Sequence, residues 1–152
     1  MASTVSSEQI SEFREKGVTV LRGVFSNWVD LLRKGVDANM ADPDPNARIY
    51  TGKDGGGRFF VDYCNWARIL EYKEFIFNSD AAAIGAELMG SKQVQLFHEH
   101  VLVKEAATGV PTPWHQDAPY YCVDSAKTVS LWIPLDDVPR ETTPEFISGS
   151  QK

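Results

Sequence analysis

Apolar positions spaced three apart open the chain. Ile10 and Phe13 share one side of an otherwise polar stretch, and Gly17 follows where a C-terminal cap belongs, which predicts a short helix over 7–16. The β-branched run VTVLRGVF over 18–25 predicts a strand. Ser26 stands where a helix cap belongs, ahead of Trp28, Leu31, Leu32 and Val36, and that helix should end before the turn-rich ADPDPN at 41–46. TGKDGGG at 51–57 reads as a flexible loop, 58–63 as a strand, and 79–89 as a helix stopped by Gly90.

From Gln93 the period shifts from about 3.6 residues to 2. In QVQLFHEHVLVKE one strand face carries Val94, Leu96, His98, His100, Leu102 and Lys104, and the other carries Gln95, Phe97, Glu99, Val101 and Val103. A second strand over 128–135 sets Thr128, Ser130 and Trp132 against Val129, Leu131 and Ile133. Helices first and strands afterwards predict an α+β domain, with no repeat and no linker.

Composition narrows the class. Apolar residues make up 43% and charged residues 24%, the balance of a globular chain. No apolar run reaches the length of a membrane span, and MASTVSSEQI lacks the basic flank and apolar stretch of a secretory signal. The net charge of −6 disfavours nucleic-acid backbones and anionic membranes as partners. Cys64 and Cys122 form no CxxC pair, so the expectation is a reduced, cytoplasmic protein.

All three histidines fall between 98 and 115. The sharpest local feature is TPWHQDAPYY, with His115-Gln116-Asp117 at its centre. Residues two apart in extended chain point the same way, so this imidazole and carboxylate can meet one metal ion. Together they are two-thirds of the facial triad that holds non-haem Fe(II) with open coordination positions. The same two residues could instead hydrogen-bond within a turn between Pro113 and Pro119, and the spacing does not choose. The His98, His100 and Lys104 face is equally open: it lines a wet cavity, or it is the solvent side with Phe97, Val101 and Val103 in the core. Trp132 either walls a polar pocket or belongs to the core.

Other chemistries find no support. Gly52-Lys53-Asp54 lacks the Ser or Thr of a phosphate-binding loop, and there is no GxSxG elbow. Nothing around Cys122 marks a lowered thiol pKa, and Asp136-Asp137 reads as a solvated turn.

FHEHVLVKEAATGVPTPWHQDAPYY, followed by TVSLWIPLDDV and EFISGSQK, resembles the phytanoyl-CoA dioxygenase family, in particular its bacterial-type members. The resemblance runs from about Phe13 to Lys152 and is strongest over 93–150. It implies a double-stranded β-helix (jelly roll, cupin-like) with N-terminal helices. It also implies an Fe(II)- and 2-oxoglutarate-dependent dioxygenase that uses O2 to hydroxylate a small organic substrate while 2-oxoglutarate is decarboxylated to succinate. His115 and Asp117 match the family's first two iron ligands. Trp132 matches a tryptophan close to the 2-oxoglutarate site, His100 a strand residue against that cosubstrate, and Lys104 the basic residue ending that strand. Arg58 corresponds to a basic cosubstrate contact.

The family's third iron ligand is a later histidine, followed by an arginine that pairs with the cosubstrate. Here no histidine follows His115, Arg140 sits too early to be that arginine, and a GSH-type turn reads Gly149-Ser150-Gln151. Residues 1–152 are therefore expected to be a single, truncated domain of this kind, incomplete at its C-terminus. Such a chain would be weak in activity and would self-associate through open sheet edges. The rival expectations are a non-catalytic jelly-roll binding module and a Zn²⁺ hydrolase built on His115 and Asp117.

Overall fold

The computed structural model describes every residue except 1–3, 53, 54, 124 and 126, so Lys53 and Asp54 of the expected loop lie outside the described residues. Its elements run α1 (Ser7–Lys16), α2 (Val29–Ala41), β1 (Arg48–Thr51), β2 (Arg58–Tyr63), α3 (Leu70–Asn78), α4 (Ala81–Met89) and β3 (His100–Lys104). Helices and a small antiparallel sheet agree with α+β, although β1 and β2 precede α3 and α4 and do not follow all the helices. The chain divides into two compact units. One comprises Met1–Asn27, Asn78–Gln95 and Gln116–Lys152, and the other Trp28–Phe77 and Leu96–His115.

In the first unit, α1 is defined at both ends by capping chemistry. The Ser6 hydroxyl accepts from the Gln9 N–H, and the Gln9 side chain accepts from the Ser6 N–H. Gly17 closes the helix at φ 83°, a left-handed conformation that glycine adopts without penalty. α1 packs on α4, whose Ile84 and Leu88 are buried, as is Val5, whose N–H donates to Glu87 Oε2 of α4 at 3.2 Å. The segment 18–25 does not form the expected strand. Its polar groups turn back to α1, with the Gln9 amide donating to the Val20 carbonyl at 3.1 Å and Thr19 Oγ1 donating to Glu12 Oε2 at 2.7 Å. Gly23, at φ 73°, then turns the chain. The 128–135 segment keeps its alternation, with Val129, Leu131 and Ile133 half-buried and Ser130 and Trp132 exposed, but among the described residues no strand ladder forms there. α4 starts at Ala81, two residues later than the expected 79, and ends at Gly90 as expected.

In the second unit, β2 pairs antiparallel with both β1 and β3. Its ladder with β3 runs from Phe59↔Lys104 to Tyr63↔His100, so β2 stops where His100 begins, and among the described residues the strand covers only the last part of the expected long one. One sheet face buries Phe60, Asp62 and Val101. On α2, Leu32, Gly35 and Asn39 form one buried stripe. A Cβ on Gly35 would stand 2.6 Å from the Tyr72 ring of α3, so glycine is required where these two helices meet. The expected Ser26 cap is replaced by a 3-10 turn over Ser26–Trp28, in which Ser26 Oγ donates to the Gly23 carbonyl. The sequence reading missed both β1 and α3.

Candidate functional site

The ladder decides which way β3 faces. Val101 is buried at 8% exposure, whereas Leu102 is 50% exposed and His100 and Lys104 are exposed beside it. The His98, His100 and Lys104 face is therefore the open one. Phe97, at 49% exposure, is not in the core of the opposite face. Tyr63 of β2 packs edge-on against both imidazoles, 6.2 Å from His98 and 5.8 Å from His100 between ring centroids. Lys104 Nζ donates to Thr112 Oγ1 at 3.0 Å and sits 4.9 Å above the Phe59 ring, so its cation has an aromatic floor. Among the described residues this open face sets aromatic and basic side chains around the aliphatic Leu102.

Arg58 is committed to Glu105. Its Nε and a terminal nitrogen donate to Glu105 Oε1 at 2.9 and 2.5 Å, and its backbone N–H donates to Oε2 at 2.9 Å. These bonds hold the Glu105 carboxyl below its ordinary range and the Arg58 guanidinium above its own. The pair clamps β2 to the end of β3.

In the HxD segment, His115 belongs to the second unit and Asp117 to the first. His115 Nδ1 lies 2.8 Å from the Pro113 carbonyl. The carbonyl can only accept, so Nδ1 donates in that contact, the orientation in which histidines that bind metals through Nε2 are commonly held. The Asp117 carboxylate receives two hydroxyls at Oδ2, Tyr121 at 3.3 Å and Ser130 at 3.4 Å, and those hydroxyls are 3.0 Å apart. Burial pushes the Tyr121 phenol above its ordinary range; Ser130 opposes the shift and the Asp117 charge adds to it. Gln116 points elsewhere, donating to the Ser150 carbonyl at 2.5 Å. Trp132 is exposed at 53%, so it is not a core residue here.

Imidazole and carboxylate are each donor types that a ferrous ion accepts. Among the described residues no group of three or more His, Cys, Asp or Glu side chains is arranged to hold a metal. Burial raises the Cys64 thiol pKa, and the acidic Glu99, Asp44 and Asp62 raise it further, which argues against a thiolate nucleophile. No described helix is long and apolar enough to cross a membrane.

Sequence reasoning did not find the roles of Tyr121, Ser130 and Glu105. For Tyr121 a signal existed: Pro119 inside D-A-P-Y-Y marks a turn that brings the fourth residue back over the aspartate. Among curated proteins and among solved structures nothing matches this chain. The family described as phytanoyl-CoA dioxygenase (PhyH) matches residues 13–152, a stretch that includes β2, β3, the HxD segment and Trp132. On that match the chain belongs to the phytanoyl-CoA dioxygenase family, whose members are typically oxygenases that use Fe(II), 2-oxoglutarate and O2.

Proposed function

We propose that this chain forms part of a non-haem Fe(II)- and 2-oxoglutarate-dependent dioxygenase of jelly-roll architecture that hydroxylates a small organic substrate. The observation that carries the reading is the HxD segment. His115 is held at Nδ1 by a carbonyl and Asp117 is held at Oδ2 by two hydroxyls, within the stretch that matches the family.

His115 Nε2 and the Asp117 carboxylate are the two proposed iron ligands. When bound, Fe(II) supplies the activation of O2 that no amino-acid side chain can perform. The protein's own part is to orient and to bind. The Pro113 carbonyl fixes the imidazole, and Tyr121 and Ser130 fix the carboxylate. Lys104, raised over Phe59, offers a cation to a carboxylate of 2-oxoglutarate, with His100 beside it on the same strand face. Trp132, on the exposed side of its segment with Ser130, is the proposed wall of the cosubstrate site. Arg58, already engaged by Glu105, is assigned to the β2–β3 clamp. The third iron ligand is not assigned to any of these residues.

The test uses the purified protein. Fe(II) and 2-oxoglutarate, mixed with it anaerobically, should give a weak visible charge-transfer band. His115→Ala and Asp117→Ala should each abolish the band, and Asp117→Asn should weaken it, because the carboxylate charge offsets that of the ion. A band unchanged in both alanine variants would sink the assignment.

A further inference from the structure

We propose that Tyr121 and Ser130 are positioning residues that hold Asp117 through Oδ2, so that the carboxylate meets the metal through Oδ1 alone. This rests on the reading of His115 and Asp117 as iron ligands and goes beyond it by fixing how one of them binds.

Two separate pieces of backbone deliver the hydroxyls. Ala118–Tyr120 forms a 3-10 turn with a proline near its start, closed by Tyr120 N–H to the Asp117 carbonyl at 2.9 Å and Tyr121 N–H to the Ala118 carbonyl at 3.1 Å. That turn folds the Tyr121 phenol back to its own Asp117, 3.3 Å from Oδ2. Ser130 arrives from the extended 128–135 segment. Val129 there lies over Gly85 of α4, and the alternation of that segment turns Ser130 outward, 3.4 Å from the same Oδ2. The two hydroxyls also touch each other at 3.0 Å, which makes a closed triangle with the carboxylate oxygen.

Both donors on one oxygen bias the carboxylate in two ways. They disperse negative charge at Oδ2, and because two hydroxyl hydrogens serve the three contacts, a chelating rotation of the carboxylate breaks at least one hydrogen bond there and disrupts the triangle. The consequence is chemical. Protein ligands that each bind through one atom would leave more room at a bound metal for a chelating cosubstrate and O2. A carboxylate bound through both oxygens would take up part of that room.

The experiment replaces Fe(II) by Co(II), whose visible bands report coordination number, in the form of the chain used above. Tyr121→Phe, Ser130→Ala and the double variant are titrated beside the parent, and infrared difference spectra record the carboxylate stretches of the bound aspartate. The double variant should bind Co(II) about 10–100-fold more weakly, the range for loss of outer-shell partners. The splitting of its carboxylate stretches should move toward the chelating pattern. Ser130→Thr, which keeps a hydroxyl, should restore the parent spectrum, a recovery that a purely structural role for the side chain would not produce. Parent-like affinity and parent-like stretches in the double variant, with Co(II) binding still lost in Asp117→Ala, would overturn this inference and leave the ligand assignment standing. Co(II) binding unchanged in His115→Ala and Asp117→Ala would overturn the ligand assignment itself, and this inference with it.

Discussion

Asn39 of α2 donates its amide to Asp62 Oδ2 of β2 at 2.8 Å, and both side chains are almost wholly excluded from solvent. The charge is satisfied from several sides. The Asp44 N–H donates to Oδ2 at 3.0 Å, the Tyr63 N–H donates to Oδ1 at 2.8 Å, and the Tyr72 hydroxyl reaches Asn39 Oδ1 at 3.4 Å. A buried carboxylate is tolerated only when its lone pairs are answered in this way. The network joins the helical layer to the sheet that carries His100 and Lys104.

Asn39→Ala should therefore cost about 2 kcal/mol of stability, because it strips a donor from a buried charge and leaves the charge in place. Asn46→Ala, in an exposed turn, should stay within about 0.5 kcal/mol of the parent. Urea denaturation at matched protein concentration measures both. Equal midpoints for the two variants would show that the Asn39–Asp62 bond does not help to hold the sheet to the helices.

Acid should attack the same network. Burial alone would raise the Asp62 pKa, but bonds from the Asp44 N–H, Asn39, Asn65 and the Tyr63 N–H outweigh it and hold the group below its ordinary range. A lowered folded pKa adds stability that is fully present above the unfolded value of about 3.9 and is lost as pH falls through the folded value. The parent should lose stability steeply below about pH 4. Asp62→Asn, less stable throughout, should show a shallower slope in that window. An identical acid slope in the two proteins would rule out Asp62 as a contributor.

Self-association is the third expectation. Among the described residues β3 pairs only with β2, so it is an edge strand of the sheet. Leu102, Trp132, Phe146 and Ile147 are each half or more exposed. Residues 1–152 at micromolar concentration should scatter light as a species larger than a monomer and should bind ANS. A monomer that melts sharply at that concentration would contradict this.

Local chemistry was readable from the residues alone. The C-terminal end of α1 follows from Gly17, which takes a left-handed conformation, and α4 ends at Gly90 for the same reason. β2 was visible as an apolar run, and HxD as an imidazole–carboxylate pair. These features depend on neighbours within a few positions, which the sequence lists directly. Pairing decided the rest. The 93–105 run alternates throughout, yet it becomes a strand only from His100, where β2 supplies a ladder, and the β-branched 18–25 run finds α1 in place of a strand partner. β1 exists because Arg48–Thr51 meets Arg58–Val61. Whether His100 and Lys104 face solvent or core was undecidable from a period of 2, which gives two faces without saying which is covered. Burial of Phe60, Asp62 and Val101 on the other face settled it, and the meeting of Ser130 with Asp117, thirteen residues apart, exists only once the chain has folded back on itself.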